Sequence, residues 1–207
     1  TVQQVLTVLA EVRVGAMIAG KTGFLHIHTG NIPGAFEMYD EILAKGFPIK
    51  HIRPTHCGRI RHVFDSAVEF GKKGGWIDIT TGASCCFDHP AQAVIEAIGM
   101  GVDPTHITLS TDGHGSVPRF NEKGEMVGLG VGGVDGNLIE TIRLISDCKM
   151  PIEQALLFTT KNVGDALGFK DQGRVEVGAC ANACLFTEDF NLTHVVARGR
   201  VMMRDGE

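Results

Sequence analysis

The chain has 207 residues, of which 43% are hydrophobic and 21% charged, and its formal net charge is −5. This size favours one principal domain with a buried core. The acidic balance, with no basic stripe, argues against a nucleic-acid partner. The apolar runs are short and interrupted, which predicts no transmembrane span and no membrane partner. Six cysteines without a disulfide or CxxC zinc pattern indicate reduced thiols in a cytoplasmic protein.

Four strand–helix units are predicted in the first half of the chain. The predicted strands cover residues 24–28, 52–56, 76–80 and 107–112, and the predicted helices cover residues 1–20, 31–46, 62–73 and 91–100. Successive strand ends lie about 24 to 32 residues apart, which is the length of one strand plus one helix. Repeated units of this kind build a (β/α) barrel.

The pattern changes after the fourth strand. Residues 113–136 are glycine-rich and are predicted to form a long functional loop. Helices follow over 137–148, 152–160 and 162–167, and β-like segments over 183–187, 192–197 and 200–204. The tail of about 35 residues is too small to fold alone.

The expected fold is therefore α/β, with half of a (β/α)8 TIM-type barrel and the C-terminal strands of a small β-sandwich. Residues 1–172 are assigned to the half-barrel, as its strands 5–8, and residues 173–207 to the sandwich. Because a half-barrel leaves two open parallel edges, the chain is expected to need a missing N-terminal half or to self-associate as a homo-oligomer.

Three of the four predicted strands end in a side chain that can hold a metal ion. His28, His56 and Asp112 stand at these ends. In a barrel, the C-terminal strand ends gather at one opening, which we call the mouth. The three side chains are therefore expected to meet there as metal ligands. His26 lies two residues before His28 on the same strand face, where it is either a second ligand or a core histidine.

Two further features suit hydrolysis at such a site. Arg59 follows His56 by about one turn, and its guanidinium suits a substrate carboxylate or, alternatively, a surface ion pair. Asp112 can accept a proton from a water that a metal ion activates to hydroxide, and can return the proton to a leaving amine. We therefore expect Asp112 to be the catalytic residue.

The sequence resembles the amidohydrolase superfamily and, within it, the isoaspartyl dipeptidases (β-aspartyl peptidases). The resemblance covers almost the whole chain. It is carried by Arg13-Val14-Gly15, His28-Thr29-Gly30, Pro54-Thr55-His56 with Arg59, Gly74-Gly75-Trp76-Ile77-Asp78-Ile79-Thr80, Ser110-Thr111-Asp112-Gly113 with Gly115-Ser116, and Ala197-Arg198-Gly199.

The resemblance implies hydrolysis of small β-aspartyl dipeptides with two zinc ions. His28 and His56 would ligate one zinc and Asp112 the other, while Arg59 and Ser116 would bind the substrate's carboxylate and free amine. The family's first-strand His-x-His and its metal-bridging carboxylated lysine have no counterpart here. The chain alone is therefore expected to be inactive.

Two other functions stay open at this point. The chain could belong to another amidohydrolase, such as a dihydroorotase, a hydantoinase or an N-acyl-amino-acid deacylase. It could also be a non-catalytic half-barrel module that binds a metal for structural reasons. His and Asp ligands accept zinc, manganese, iron or cobalt, so the sequence does not determine which metal is bound.

Overall fold

The computed structural model describes residues 1–82 and 84–207, and within them helices alternate with short strands. The helices are α1 (Val2–Ala19), α2 (Glu37–Ala44), α3 (Arg61–Lys72), α4 (Pro90–Gly99), α5 (Gly136–Ser146), α6 (Ile152–Leu157) and α7 (Lys161–Leu167). The strands are β1 (Leu25–His28), β2 (Ile52–Thr55), β3 (Ile77–Thr80), β4 (Ile107–Ser110), β5 (Ser116–Phe120), β6 (Met126–Val131), β7 (Ala183–Phe186), β8 (Leu192–Ala197) and β9 (Arg200–Met203).

The first four strands run parallel and follow one another in space as they do in sequence. β1 pairs with β2, and β3 pairs with β4. The two pairs meet just beyond β2, where the backbone N–H of Cys57 donates to the carbonyl of Asp78 at 3.0 Å. Each connection carries a helix, as right-handed βα units require. The predicted α/β class is confirmed, whereas the numbering of these strands as 5–8 of a barrel stays a prediction.

The core lies between the outer faces of these strands and the helices that cover them. Ile52, Ile77, Ile79 and Ile107 are fully buried on the strand side. The helix side supplies large buried side chains from α2 to α5 and from the end of α6, namely Tyr39, Ile42, Val63, Phe64, Val68, Val94, Leu144 and Phe158. The apolar stripe that predicted α3 is the face that packs on the strands.

α1 is the one helix among the described residues that is long and apolar enough to cross a membrane, with a mean hydropathy of 1.4. Length and composition alone are weak grounds, since core helices of soluble proteins and signal sequences pass the same test. Glu11 and Arg13 interrupt its apolar surface, and Leu9 is buried in the core. The absence of a membrane partner stays a prediction.

Two local predictions are wrong. The second helix begins at Glu37 rather than near Asn31, because the chain first turns through Gly34, whose φ of +73° is left-handed and incompatible with a helix. The predicted loop of 113–136 contains the antiparallel hairpin β5–β6. The side-chain oxygen of Asn121 accepts hydrogen bonds from the backbone N–H groups of Lys123 and Glu125, and these bonds close the hairpin turn.

The C-terminal strands form a separate antiparallel sheet in the order β7-β8-β9. Arg198 and Gly199 have φ values of +50° and +76° and make the predicted turn between β8 and β9. Leu185, Val201 and Met202 stay exposed on this small sheet. The assignment of residues 173–207 to a β-sandwich stays a prediction.

Candidate active site

The inner face of the four parallel strands is polar throughout. Alternation along each strand puts isoleucine, leucine or proline outward, and the residues that face inward are His26, His28, Arg53, Thr55, Asp78, Thr80, Thr108 and Ser110. Barrel interiors are ordinarily filled by branched apolar side chains. The polar interior here therefore indicates a site rather than packing.

His28 and His56 meet at the C-terminal end of β1 and β2. His28 Nδ1 lies 2.9 Å from His56 Nε2, and the ring centroids are 4.8 Å apart. Two histidine nitrogens that share one ion, each about 2.1 Å from it, would be about 3.4 Å apart in a tetrahedral geometry. The pair therefore needs only a small opening to hold a cation between the two rings.

Thr80 and burial keep His56 in the state that a metal ligand requires. Its Nδ1 lies 2.7 Å from Thr80 Oγ1, and both residues are 3% exposed. If Nδ1–H donates to the hydroxyl, the lone pair of Nε2 faces His28. Burial, followed by the charge of Arg59, lowers the pKa of His56 to about 4, so the ring is neutral at pH 7.

Asp112 and Arg59 complete the cluster on the other side of His56. Asp112 Oδ2 lies 3.9 Å from His56 Nε2 and accepts a long hydrogen bond of 3.5 Å from Arg59 Nη2. His56 and Asp112 both follow their strands in left-handed backbone conformations, with φ of +64° and +52°. Such strain persists only where surrounding structure maintains it, and it is common at functional sites.

Close backbone packing holds Asp112 in place. A Cβ at Gly115 or Gly132 would lie 2.7 or 2.9 Å from the Asp112 carbonyl oxygen, so neither position accepts a larger residue without movement. The N–H of Gly115 also donates to that oxygen at 2.9 Å. The two residues that flank the hairpin β5–β6 thus pack against the backbone of Asp112, although the sequence predicted only a loop there.

The remaining candidates stand further from this cluster. Ser116 is exposed at the first position of β5. His26 is exposed on the inner face and packs its ring edge-to-face on His28 at 5.5 Å, without joining the hydrogen-bonded pair. The structure therefore brings together His28, His56, Asp112 and Arg59.

Asp78 lies in this interior and was not among the site residues predicted from sequence. Its carboxylate accepts hydrogen bonds of 2.5 to 2.7 Å from the hydroxyls of Thr55, Thr108 and Ser110. It thereby links β2, β3 and β4 directly below His56. The alternation of Ile77-Asp78-Ile79-Thr80 was the signal that placed it on the inner face.

The donor set fits part of a metal centre. Two imidazoles face one another and a carboxylate stands beside them. Within residues 1–82 and 84–207, however, no group of three or more His, Cys, Asp or Glu side chains is close enough to hold an ion. The described chain thus supplies a pair of ligands and a nearby carboxylate, but not a full coordination shell.

The fold and this cluster define a member of the amidohydrolase family, and the chain belongs to that family, which it matches over residues 24–202. The structure is similar to β-aspartyl dipeptidase from Fervidobacterium islandicum AW-1 in complex with the dipeptide β-Asp-Leu, with 31% identity and a TM-score of 0.89. A second structure of β-aspartyl dipeptidase from the same organism gives 28% identity and a TM-score of 0.86. The expected resemblance to the amidohydrolases and to β-aspartyl dipeptidases is confirmed.

The chain spans about half the length of these relatives. It is covered completely in both alignments, but covers 55% and 53% of the two dipeptidase chains. N-acetylglucosamine-6-phosphate deacetylase from Thermotoga maritima is similar at 17% identity and a TM-score of 0.58, over 82% of this chain and 50% of that one. At that identity the likeness concerns the fold alone.

Proposed function

We propose that this chain forms part of the active site of a zinc-dependent isoaspartyl dipeptidase, which hydrolyses dipeptides linked through the aspartyl side chain. The convergence of His28, His56, Asp112 and Arg59 at one mouth supports the proposal most directly. The likeness at 31% identity to a dipeptidase solved with β-Asp-Leu supports the substrate class.

Each residue has a distinct role in this proposal. A bound zinc ion supplies Lewis acidity and lowers the pKa of water at the site. His28 and His56 would hold the ion, and the Thr80 hydroxyl orients His56. Asp112, as a nearby carboxylate, would hold a second ion, take a proton from the attacking water and return it to the leaving amine.

Arg59 and Ser116 would orient the dipeptide. The Arg59 side chain is 27% exposed, so a substrate at the mouth can reach its guanidinium. Its 3.5 Å contact with Asp112 is long for an ion pair, which leaves donors available for a substrate carboxylate. Ser116 is exposed at the first position of β5, where its hydroxyl oxygen can accept a hydrogen bond from the free α-amino group of a substrate.

The missing ligands would come from the other half of the barrel in a longer enzyme. We accordingly propose that the isolated chain is inactive and self-associates, because an open β1 edge and exposed apolar side chains such as Met17 and Ile18 favour association. Size-exclusion chromatography giving a monomer at all concentrations would count against self-association.

Six free thiols are consistent with a cytoplasmic location, which we propose as well.

The deciding experiment compares β-Asp-Leu with α-Asp-Leu as substrates, in the presence of zinc. The intact enzyme is expected to cleave the β-linked dipeptide selectively, and the isolated chain to cleave neither. Asp112→Asn in the intact enzyme should lower turnover at least about 100-fold while preserving the fold. Equal cleavage of both dipeptides would contradict the proposed substrate class. Substantial activity of the Asp112→Asn enzyme would contradict the catalytic role of Asp112.

A further inference from the structure

A buried arginine, with no carboxylate partner among the described residues, lies at the opposite end of the strands from the mouth. Arg53 on β2 is 8% exposed, and its Nη2 donates to the carbonyl of Ala166 at 3.3 Å. Its Nε and Nη1 have no hydrogen-bond partner among the described residues. Burial lowers the pKa of Arg53 to about 10, which still leaves the guanidinium charged at pH 7. An unpaired buried charge is costly, so such a group ordinarily has a partner.

Aromatic rings hold this guanidinium in place. Its central carbon lies 4.9 Å from the ring centroid of Trp76 and 5.6 Å from that of Phe24. Both rings precede the strands that flank Arg53, at the N-terminal strand ends, which we call the floor. Cation–π contacts of this kind stabilise the charge and restrict the side chain, but they leave its in-plane N–H donors unused.

Arg53 borders two spaces at the floor. One is a cavity of about 200 Å³ inside the strands, lined also by Trp76 and Asp78. Asp78 already accepts three hydroxyl donors, and no carboxylate in the described part of the chain lies within 4.0 Å of the Arg53 guanidinium. The other space is a cleft of about 740 Å³ between α1 and the start of β2, a size typical of small-molecule sites.

The cleft is basic although the chain is acidic overall. Its ionisable lining residues in the described structure are Arg13, Lys21, Lys50, His51 and Arg53, with no carboxylate among them. Arg13, Lys21 and Lys50 are exposed, so they can attract an anion from solution, whereas Arg53 is fixed and partly desolvated. Together they place exposed positive charge beside a fixed guanidinium whose Nε and Nη1 are buried, so an anion contacts these donors after a small shift of the side chains that cover them.

We propose that Arg53 is the centre of a binding site for a small oxyanion, of which a phosphate group is the best match, at the floor of the strands. Several cations around one guanidinium favour a multiply charged anion over a single carboxylate. The site lies apart from the mouth and is independent of the proposed dipeptidase activity.

Trp76 gives a direct readout, because it is the only tryptophan in the chain and packs on Arg53. The 207-residue chain is titrated with inorganic phosphate at constant ionic strength, and the emission of Trp76 is followed alongside isothermal calorimetry. We expect a saturable response with a stoichiometry of one, weakened by sodium chloride. Arg53→Met should abolish phosphate binding, and Lys50→Gln should weaken it about 3- to 10-fold.

Two control variants locate the binding. Lys123→Gln removes an exposed cation in the hairpin turn and should leave the phosphate affinity unchanged. Arg59→Met removes the cation at the mouth and should also leave it unchanged. Loss of binding in Arg59→Met but not in Arg53→Met would assign the anion to the mouth and overturn the proposal.

The proposal also fails if wild-type chain gives no saturable heat or emission change up to millimolar phosphate. That result would point instead to a carboxylate of another polypeptide segment as the partner of Arg53. If Arg53→Met does not fold by circular dichroism, the double variant Arg13→Gln/Lys50→Gln, which changes only exposed cations, decides. An affinity equal to wild type in that double variant would overturn the site.

Discussion

Replacing Thr80 by Val tests whether the hydroxyl beneath His56 prepares that ring for a metal ion. The substitution keeps the shape of the side chain but leaves His56 Nδ1, now 2.7 Å from Thr80 Oγ1, without a partner in a buried position. An unsatisfied buried polar group costs about 1–3 kcal/mol, so the free energy of unfolding should fall by that amount. Zinc affinity should fall about 10- to 100-fold, because the ring loses the bond that fixes its tautomer and direction.

The two effects are separated by matched variants. Urea unfolding gives the stability without metal, and competition with a chromophoric chelator gives the zinc affinity. Thr80→Ser retains the hydroxyl and should restore the affinity. Thr108→Val removes a hydroxyl from the same inner face that bonds Asp78 instead of His56, so it should lower stability without changing zinc affinity. A folded Thr80→Val chain that binds zinc as tightly as wild type would refute the role of the hydroxyl.

Three further predictions concern the same interior. Asp78→Asn removes the charge that three hydroxyls share and should lower the free energy of unfolding by about 3 kcal/mol, measured by urea titration. Gly132→Ala places a Cβ 2.9 Å from the Asp112 carbonyl oxygen and should reduce dipeptide turnover in the intact enzyme, whereas Gly128→Ala in β6 has free space and should not. The pKa of His56 is lowered to about 4 in the folded chain, so as pH falls the unfolded chain takes up a proton at this ring before the folded chain does. The free energy of unfolding without metal should therefore decline as pH falls from about 6.5 to about 4. In urea titrations at a series of pH values, His56→Gln should flatten this decline.

The parallel strands and their helices could be predicted from sequence because each unit has a clear period. Apolar residues recur at helical spacing in α1 and α3, and four short apolar segments stand at regular intervals between helices. Strand-end positions follow from that count, which is why the meeting of His28 and His56 could be anticipated. The position of Asp112 near these histidines was predicted in the same way, from its place at the end of the fourth strand.

The hairpin β5–β6 was predicted as a loop because glycine occupies two positions of β6. Gly128 and Gly130 have low strand preference and resemble loop residues. The structure forms the hairpin because Asn121 closes the turn through its side chain, which is a local contact rather than a periodic one. The predicted start of α2 was wrong for a related reason, since Gly34 makes a left-handed turn before the helix begins at Glu37.

The sequence shows polar residues at alternate positions of each strand, but the register of strand pairing decides which of them meet on one face. In parallel sheets both strand faces are usually apolar, so Ile-Asp-Ile-Thr and Ile-Thr-Leu-Ser read alone resemble half-exposed strands. Pairing of Asp78 with Thr108 and of Thr80 with Ser110 puts all four on one face. Only then does one strand's carboxylate meet its neighbours' hydroxyls.

The same alternation explains why the two ends of the interior differ in charge. Arg53 lies three residues before His56, about 10 Å along the strand. Asp78 lines the same cavity as Arg53, but its carboxylate accepts hydrogen bonds from Thr55, Thr108 and Ser110, so its charge is shared among these hydroxyls. Among the described residues, the floor consequently keeps a guanidinium without a carboxylate partner, while the mouth combines two imidazoles with a carboxylate. This difference in charge supports the two separate proposals, a cation site at the C-terminal ends of the strands and an anion site at their N-terminal ends.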